Sequence, residues 1–213
     1  MSRLRITEIF LSLQGEARSM GLPTVFVRLT GCPLRCRYCD TAYAFSGGEH
    51  RSLDEILEQV AEFHTSRVCV TGGEPLAQTA CGELLSRLCD AGYQVSLETS
   101  GALDVGSVDT RVERVIDLKT PGSGEVGKNH LANLELLRTE DQIKFVIADR
   151  EDYEWSREML ETHRLAQQCE VLFSPVHGDL EPAQLAQWIL EDRLDVRFQM
   201  QLHKWLWGEQ PGR

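Results

Sequence analysis

Three cysteines share one short stretch, Cys32, Cys36 and Cys39, spaced C-x3-C-x2-C between Gly31 and Thr41. Clustered thiolates bind zinc or iron–sulfur centres. Structural zinc sites and ordinary iron–sulfur clusters take four protein ligands, and this loop supplies three. The trio therefore reads in one of two ways. It is a metal centre with an open position where a small molecule binds and reacts, or a zinc site closed by a distant histidine or cysteine. Cys69, Cys81, Cys89 and Cys169 bring the total to seven, an odd number. In a reducing compartment these four read as small buried apolar residues rather than as a disulfide framework.

Other candidates fall at the ends of apolar runs. Gly72-Gly73-Glu74-Pro75 follows Val68-Cys69-Val70. Two glycines there let the backbone approach a ligand, such as an amino acid's ammonium and carboxylate, or simply turn tightly. Glu98 closes the run Ser96-Leu97; a buried carboxylate needs a partner, either a sugar hydroxyl or a neighbouring arginine. Arg28 interrupts Val25-Phe26-Val27 and Leu29. It either forks onto a substrate carboxylate or points outward from an edge. His203 and Lys204 follow the last strand-like run, and His203 reads as a substrate or proton-shuttle residue or as a structural histidine. The Thr41 hydroxyl is placed to meet a hard cation such as Mg2+, although helix capping is the better reading from its chemistry alone. Trp205 and Trp207 read as packing or interface aromatics.

The elements that must position these residues alternate. Strands are expected at 25–29, 68–70, 93–98, 115–118, 142–147, 170–173 and 197–202. Helices are expected at 52–64, behind the capping box Ser52/Glu55, at about 78–91 before Gly92, from about Asn129 through Leu131, Leu134 and Leu137, at 150–165, and in a last helix with Pro182 in its first turn. Residues 4–13 alternate as an edge strand or hairpin. Such alternation implies an α/β fold with about six mostly parallel strands after the N-terminal segment, and strand C-terminal ends gathered on one side. A complete eightfold barrel needs about 250 residues; 213 residues suit an incomplete, TIM-like β/α barrel in a single domain, 1–213. The cysteine loop, the Gly-Gly-Glu-Pro turn, Glu98-Thr99-Ser100-Gly101, Asp117-Leu118-Lys119-Thr120-Pro121-Gly122 and Ser174-Pro175-Val176-His177-Gly178 all follow strands, so they can converge on one cleft. A net charge of -11 argues against a nucleic-acid interface, and no apolar run is long enough to span a bilayer. A cytoplasmic location is the default expectation.

Taken together, these motifs resemble the radical S-adenosylmethionine (SAM) superfamily and, within it, the 7-carboxy-7-deazaguanine synthase family. The resemblance runs from Phe10-Leu11-Ser12-Leu13-Gln14-Gly15-Glu16 and Phe26-Val27-Arg28-Leu29-Thr30-Gly31-Cys32, through Cys39-Asp40-Thr41 and Thr71-Gly72-Gly73-Glu74-Pro75, to Phe173-Ser174-Pro175-Val176 and Gln201-Leu202-His203-Lys204. It implies a lyase in which Cys32, Cys36 and Cys39 hold a 4Fe-4S cluster completed by SAM, with Mg2+ at Thr41. The implied reaction is the ring contraction of 6-carboxy-5,6,7,8-tetrahydropterin to 7-carboxy-7-deazaguanine, with loss of ammonia, in queuosine or deazapurine biosynthesis. By the same resemblance Tyr38, Gly73, Glu98, Lys119, Thr120, Pro121, Ser174, Pro175, Val176 and His177 contact SAM. Leu13, Gln14, Gly15, Arg28, Thr71 and His203 contact the pterin. A homodimer and a flavodoxin-like electron donor are further family expectations. One departure is Ala17, where the family's Gln-Gly-Glu-Gly ends in glycine. The cysteine spacing is shared with glycyl-radical-enzyme activases, which leaves an activase, or a non-catalytic metal-binding module, as the alternatives.

Overall fold

The fold was read from a computed structural model that describes residues 2–208, 210 and 212. Its strands and helices follow the order β1 (Arg3–Leu13), β2 (Pro23–Leu29), β3 (Glu49–Ser52), α1 (Leu53–Glu62), β4 (Arg67–Gly72), α2 (Cys81–Asp90) and β5 (Gln94–Thr99). Then come β6 (Glu113–Asp117), β7 (Gln142–Ile147), α3 (Arg150–Thr162), β8 (Glu170–Pro175), α4 (Pro182–Asp192), β9 (Arg197–Phe198) and α5 (Leu202–Trp207). One sheet joins the strands in the order β3-β1-β2-β4-β5-β6-β7-β8-β9. β1 runs antiparallel to both neighbours, and every pairing from β2 to β9 is parallel. The expected six parallel strands are β2 and β4 to β8; β9 adds two residues.

Alternation along each strand separates two faces. Val25, Val27 and Leu29, Val68 and Val70, Val95 and Leu97, Ile143, Phe145 and Ile147, and Val171 and Phe173 bury against Ile56 and Val60 of α1, Leu84, Leu85 and Leu88 of α2, Tyr153 of α3 and Leu185 of α4. The residues between them, Phe26 and Arg28, Thr71, Glu98, Val115 and Asp117, and Lys144 and Val146, line a cavity on the opposite face. This is a partial barrel whose inner face carries one or two polar residues per strand.

Local chemistry explains most boundaries. The capping box at α1 is complete: Ser52 accepts from the Glu55 amide and Glu55 accepts from the Ser52 amide. The expected helix at 78–91 starts three residues late, at Cys81, because the Gln78 side chain instead clamps Arg5 and the Thr30 carbonyl. The leucines at 131, 134 and 137 recur every third residue, which is the 3-10 period. The segment is accordingly a 3-10 helix, Leu131–Leu136. The last strand is shorter than the expected 197–202. Gln199 turns so that its side-chain oxygen accepts from the Ala17 amide, and α5 begins at Leu202, whose amide donates to the Gly15 carbonyl. His203 and Lys204 therefore sit on a helix. Cys69, Cys81 and Cys169 are buried and Cys89 is half-buried, all as free thiols.

Candidate active site at the strand ends

The cysteine loop is fixed from three sides. The Gly31 amide donates to the Ala44 carbonyl at 2.8 Å, the Glu74 amide to the Gly31 carbonyl at 2.8 Å, and the Arg37 amide to the Ser123 carbonyl at 2.9 Å. Arg35 braces the loop from outside, donating to the Cys32 and Leu34 carbonyls at 2.7 and 2.6 Å while its guanidinium lies over Phe45. The glycines of Gly72-Gly73 serve this anchoring. A Cβ on Gly72 would sit 2.2 Å from the Leu29 carbonyl oxygen, and one on Gly73 2.2 Å from that of Gly31. What these glycines admit is the backbone that carries the cysteines. Glu74 is fully buried and saturated, accepting from the Thr99 and Ser100 hydroxyls and from the Ser100 and Leu76 amides. It ties the end of β4 to the end of β5.

Cys32, Cys36 and Cys39 line one cavity of about 720 Å³. All three are half-buried free thiols. Burial pushes each thiol pKa upward, that of Cys36 to about 11, so metal loading must expel protons. Three soft donors from one loop, opening onto a cavity, suit an iron–sulfur cluster with an exchangeable position. Among the described residues, no three His, Cys, Asp or Glu side chains gather as ligands of a single ion.

The remaining candidates distribute as follows. Leu13, Gln14, Gly15, Arg28, Tyr38, Thr41, Thr71, Gly73, Glu98, Lys119, Val176, His177 and His203 line the same cavity. Thr120, Pro121, Ser174 and Pro175 do not. Thr120 is buried and donates to the Val146 carbonyl, Pro121 opens a 3-10 turn, and Ser174 and Pro175 are buried in β8, with the Ser174 hydroxyl lacking a partner among the described residues. The Gln14 side-chain oxygen accepts from the Gly15 amide at 2.8 Å, and its nitrogen donates to Glu98 at 3.2 Å. A Cβ on Gly15 would lie 2.5 Å from His203 Nδ1. Ala17 closes this turn at φ 63°, a conformation glycine adopts without strain. Among the described residues no arginine pairs with Glu98: its carboxylate takes Gln14 and Thr71, and Arg28 binds Glu8 at 2.7 Å. Desolvation of Glu98, with Glu16 adding to it, raises its pKa against the pull of Lys144 and Arg28. Thr41 precedes a 3-10 turn without capping it; its hydroxyl donates to Asp40 at 2.8 Å.

Lys144 was not singled out from sequence, and Glu16 and Asp117 entered there only within longer runs. Lys144 Nζ contacts Glu16 Oε2 at 2.5 Å and Asp117 Oδ2 at 3.6 Å, and Lys119 Nζ contacts the same Asp117 oxygen at 2.9 Å. Burial works against the Lys144 charge, yet Glu16, Asp117 and Glu98 hold its pKa well above the ordinary lysine value. Glu16 Oε1 and Asp117 Oδ1 are buried without a partner among the described residues. Lys144 interrupts Gln142-Ile143-Lys144-Phe145-Val146-Ile147 as Arg28 interrupts its own strand, so the same signal was there to read. Asn129 clamps the Lys119 backbone from both sides, accepting from its amide and donating to its carbonyl at 2.9 Å each.

A partial β/α barrel with a three-cysteine loop after its first parallel strand defines a radical SAM protein, and the profile described as Radical SAM superfamily matches residues 26–163. The chain is 47% identical over 208 residues to the 7-carboxy-7-deazaguanine synthase of Chlorobaculum tepidum, covering 96% of this chain and 94% of the relative. It is 43% identical over 219 residues to that of Koribacter versatilis, covering 96% and 97%. The crystal structure of QueE from Escherichia coli superposes with a TM-score of 0.75 at 24% identity, covering 94% of this chain and 95% of that one. The chain belongs to the 7-carboxy-7-deazaguanine synthase family. No described helix is long and apolar enough to cross a membrane.

Proposed function

We infer that the chain is a 7-carboxy-7-deazaguanine synthase, a carbon–nitrogen lyase of queuosine biosynthesis. It contracts 6-carboxy-5,6,7,8-tetrahydropterin to 7-carboxy-7-deazaguanine with loss of ammonia. The observation that carries this reading is the convergence, on one cavity, of three thiols, the Arg28 guanidinium and two carboxylates with open buried oxygens. A carboxylated pterin offers a carboxylate to the arginine and ring N–H donors to the acceptors.

Cys32, Cys36 and Cys39 would hold the 4Fe-4S cluster. When bound, the cluster and SAM supply the one-electron chemistry and hydrogen-atom abstraction that no side chain provides. On the SAM side, Tyr38, Gly73, Glu98, Lys119, Val176 and His177 line the cavity, and Thr120, Pro121, Ser174 and Pro175 are assigned by sequence position. On the pterin side, Arg28 binds the carboxylate, and Leu13, Gln14, Gly15, Thr71 and His203 wall the ring. Gln14 and Thr71 hold Glu98 by hydrogen bonds, which fixes where its carboxyl can accept from a hydroxyl or N–H. Lys144 holds Glu16 through Oε2, leaving Oε1 open. Thr41 and Asp40 form the oxygen-rich corner expected to meet Mg2+. A homodimer and a separate one-electron donor belong to the same reading.

The test is anaerobic incubation of cluster-loaded protein with reductant, SAM and the carboxytetrahydropterin. The expected products are 7-carboxy-7-deazaguanine and ammonia, with SAM regenerated. Cluster-loaded protein that makes neither product would refute the assignment.

A further inference from the structure

Glu8 has no role in the account above, yet the backbone goes out of its way to deliver it. Along β1, Ile6 pairs with Leu29 and faces the core, and the next registered pair is Glu8 with Arg28. β1 thus advances two residues while β2 advances one, a bulge at Thr7. With unbroken register Thr7 would oppose Arg28, and Glu8 would oppose Val27 on the core face. The bulge moves Glu8 to the cavity face, directly across from Arg28.

There it organises the guanidinium. Arg28 Nε donates to Glu8 Oε1 at 2.7 Å, and the Tyr43 hydroxyl donates to the same oxygen at 2.8 Å. The guanidinium carbon lies 5.8 Å from the ring centroids of both Phe10 and Tyr43. Among the described residues, no hydrogen bond reaches the two terminal nitrogens of Arg28, which lines the cavity. An arginine held through Nε and flanked by rings presents its terminal fork end-on, the geometry that receives a carboxylate bidentately.

We propose that Glu8 is a positioning residue for substrate-carboxylate recognition: it fixes Arg28 through Nε so that the terminal fork is set before the substrate arrives. This rests on the reading of Arg28 given under Proposed function. Its distinguishing consequence is discrimination between a carboxylate and its neutral isostere, because a guanidinium left to wander loses the oriented pair of bonds and keeps the cavity walls.

The test is calorimetric titration of the cluster-loaded, SAM-bound enzyme without reductant. The titrants are the 6-carboxytetrahydropterin and its 6-carboxamide. The parent should prefer the acid, and Arg28→Ala should abolish that preference. Glu8→Ala should cut the preference about tenfold while leaving carboxamide affinity within about twofold, a cost typical of freeing one long side chain. Glu8→Asp withdraws the acceptor by one methylene without opening a cavity and should lose preference in the same direction, which covers the case of an unfolded alanine variant. Glu8→Gln keeps an acceptor for Nε and should retain most of it. Equal weakening of acid and amide in Glu8→Ala or Glu8→Asp, or an unchanged ratio, overturns the proposal while Arg28 keeps its role. So does a glutamine variant that falls as far as alanine. A parent without preference, or an Arg28→Ala variant that retains it, overturns the Arg28 reading and this proposal together.

Discussion

Strands β6 and β7 bury charge at both ends, and the two ends are built differently. At the N-terminal end Asp141, fully buried, accepts from Arg114 Nε at 3.0 Å, from the Arg138 amide at 2.8 Å and from Arg138 Nη2 at 2.9 Å. Both guanidiniums spend their remaining donors on the carbonyls of Val105, Leu136, Thr110 and Val112. At the C-terminal end Asp117 pairs in register with Lys144. Yet Asp117 Oδ1 and Glu16 Oε1 find no donor among the described residues. A native fold rarely leaves buried acceptors open without a use for them. The saturated end holds the strands together, and the unsaturated end awaits a ligand. This is the usual division between the two ends of a barrel. Glu74 belongs with Asp141 by this criterion, although it lies at the ligand end: every contact it makes is to the protein itself.

Asp141→Ala should give the largest effect. It strands the buried Arg114 guanidinium and the half-buried Arg138 one, and breaking a buried pair from one side costs about 3–5 kcal/mol. Denaturant unfolding should show that loss, while kcat/KM per folded, cluster-loaded molecule stays within about twofold of the parent. A comparable loss of turnover in the folded fraction would erase the distinction between the ends.

Lys144→Met is the converse change. It removes the cation that orients Glu16 and bridges it to Asp117 and should lower kcat/KM roughly 30- to 100-fold, about 2–3 kcal/mol of binding to a mispositioned site. The stability cost should be smaller than at Asp141, since Glu16, Asp117 and Lys144 line a cavity that can admit water whereas Asp141 is enclosed in protein. A variant that unfolds but turns over normally would make Lys144 a structural residue.

How much of this contrast was legible before the fold was known depended on how far each side chain's partners lie along the chain. Arg28 and Lys144 were both detectable as cations inside apolar strands, because alternation fixes their face. The six parallel strands and the convergence of their C-terminal ends followed from the same periodicity. Glu8 was hidden because the bulge at Thr7 resets that alternation locally, and nothing in a linear pattern marks a bulge. Glu74 looked like part of a ligand turn, since saturation by Thr99 and Ser100 involves residues 25 and 26 positions away. The end of the last strand was lost because Gln199 and Leu202 bond the Gln14-Gly15-Glu16-Ala17 turn, a contact spanning nearly the whole chain.

Thr41→Ala tests a milder feature of the open end. The hydroxyl touches Asp40 and makes no capping bond, so its removal should leave folding intact. If this corner receives Mg2+, stimulation of turnover by the cation should fall several-fold, under about 1.4 kcal/mol, while SAM cleavage measured without pterin is unchanged. Equal loss of both activities would remove Thr41 from the cation site.

The smallest effect concerns Glu98, and its sign separates a ligand-end carboxylate from a structural one. Desolvation lifts its pKa above the ordinary 4.5, with Glu16 adding to it and Lys144, Arg28 and Gln14 opposing. Between 4.5 and the raised value the folded protein binds more protons at this site than the unfolded chain, so the site's contribution to stability falls as pH rises through that window. Below it both states are protonated and the penalty vanishes. Glu98→Gln, neutral throughout, should therefore be more stable than the parent at neutral pH, and the gap should close as pH drops below 4.5. Asp141 has the opposite sign. Although burial works against its charge, Arg114 and Arg138 hold its pKa below 3.8, so its stabilisation is present above that value and is lost in acid. Parallel pH–stability curves for Glu98→Gln and Asp141→Asn would show that the two ends do not differ in kind. Curves diverging from the parent in opposite directions at neutral pH would show a fold that spends stability at one end of two strands and recovers it at the other.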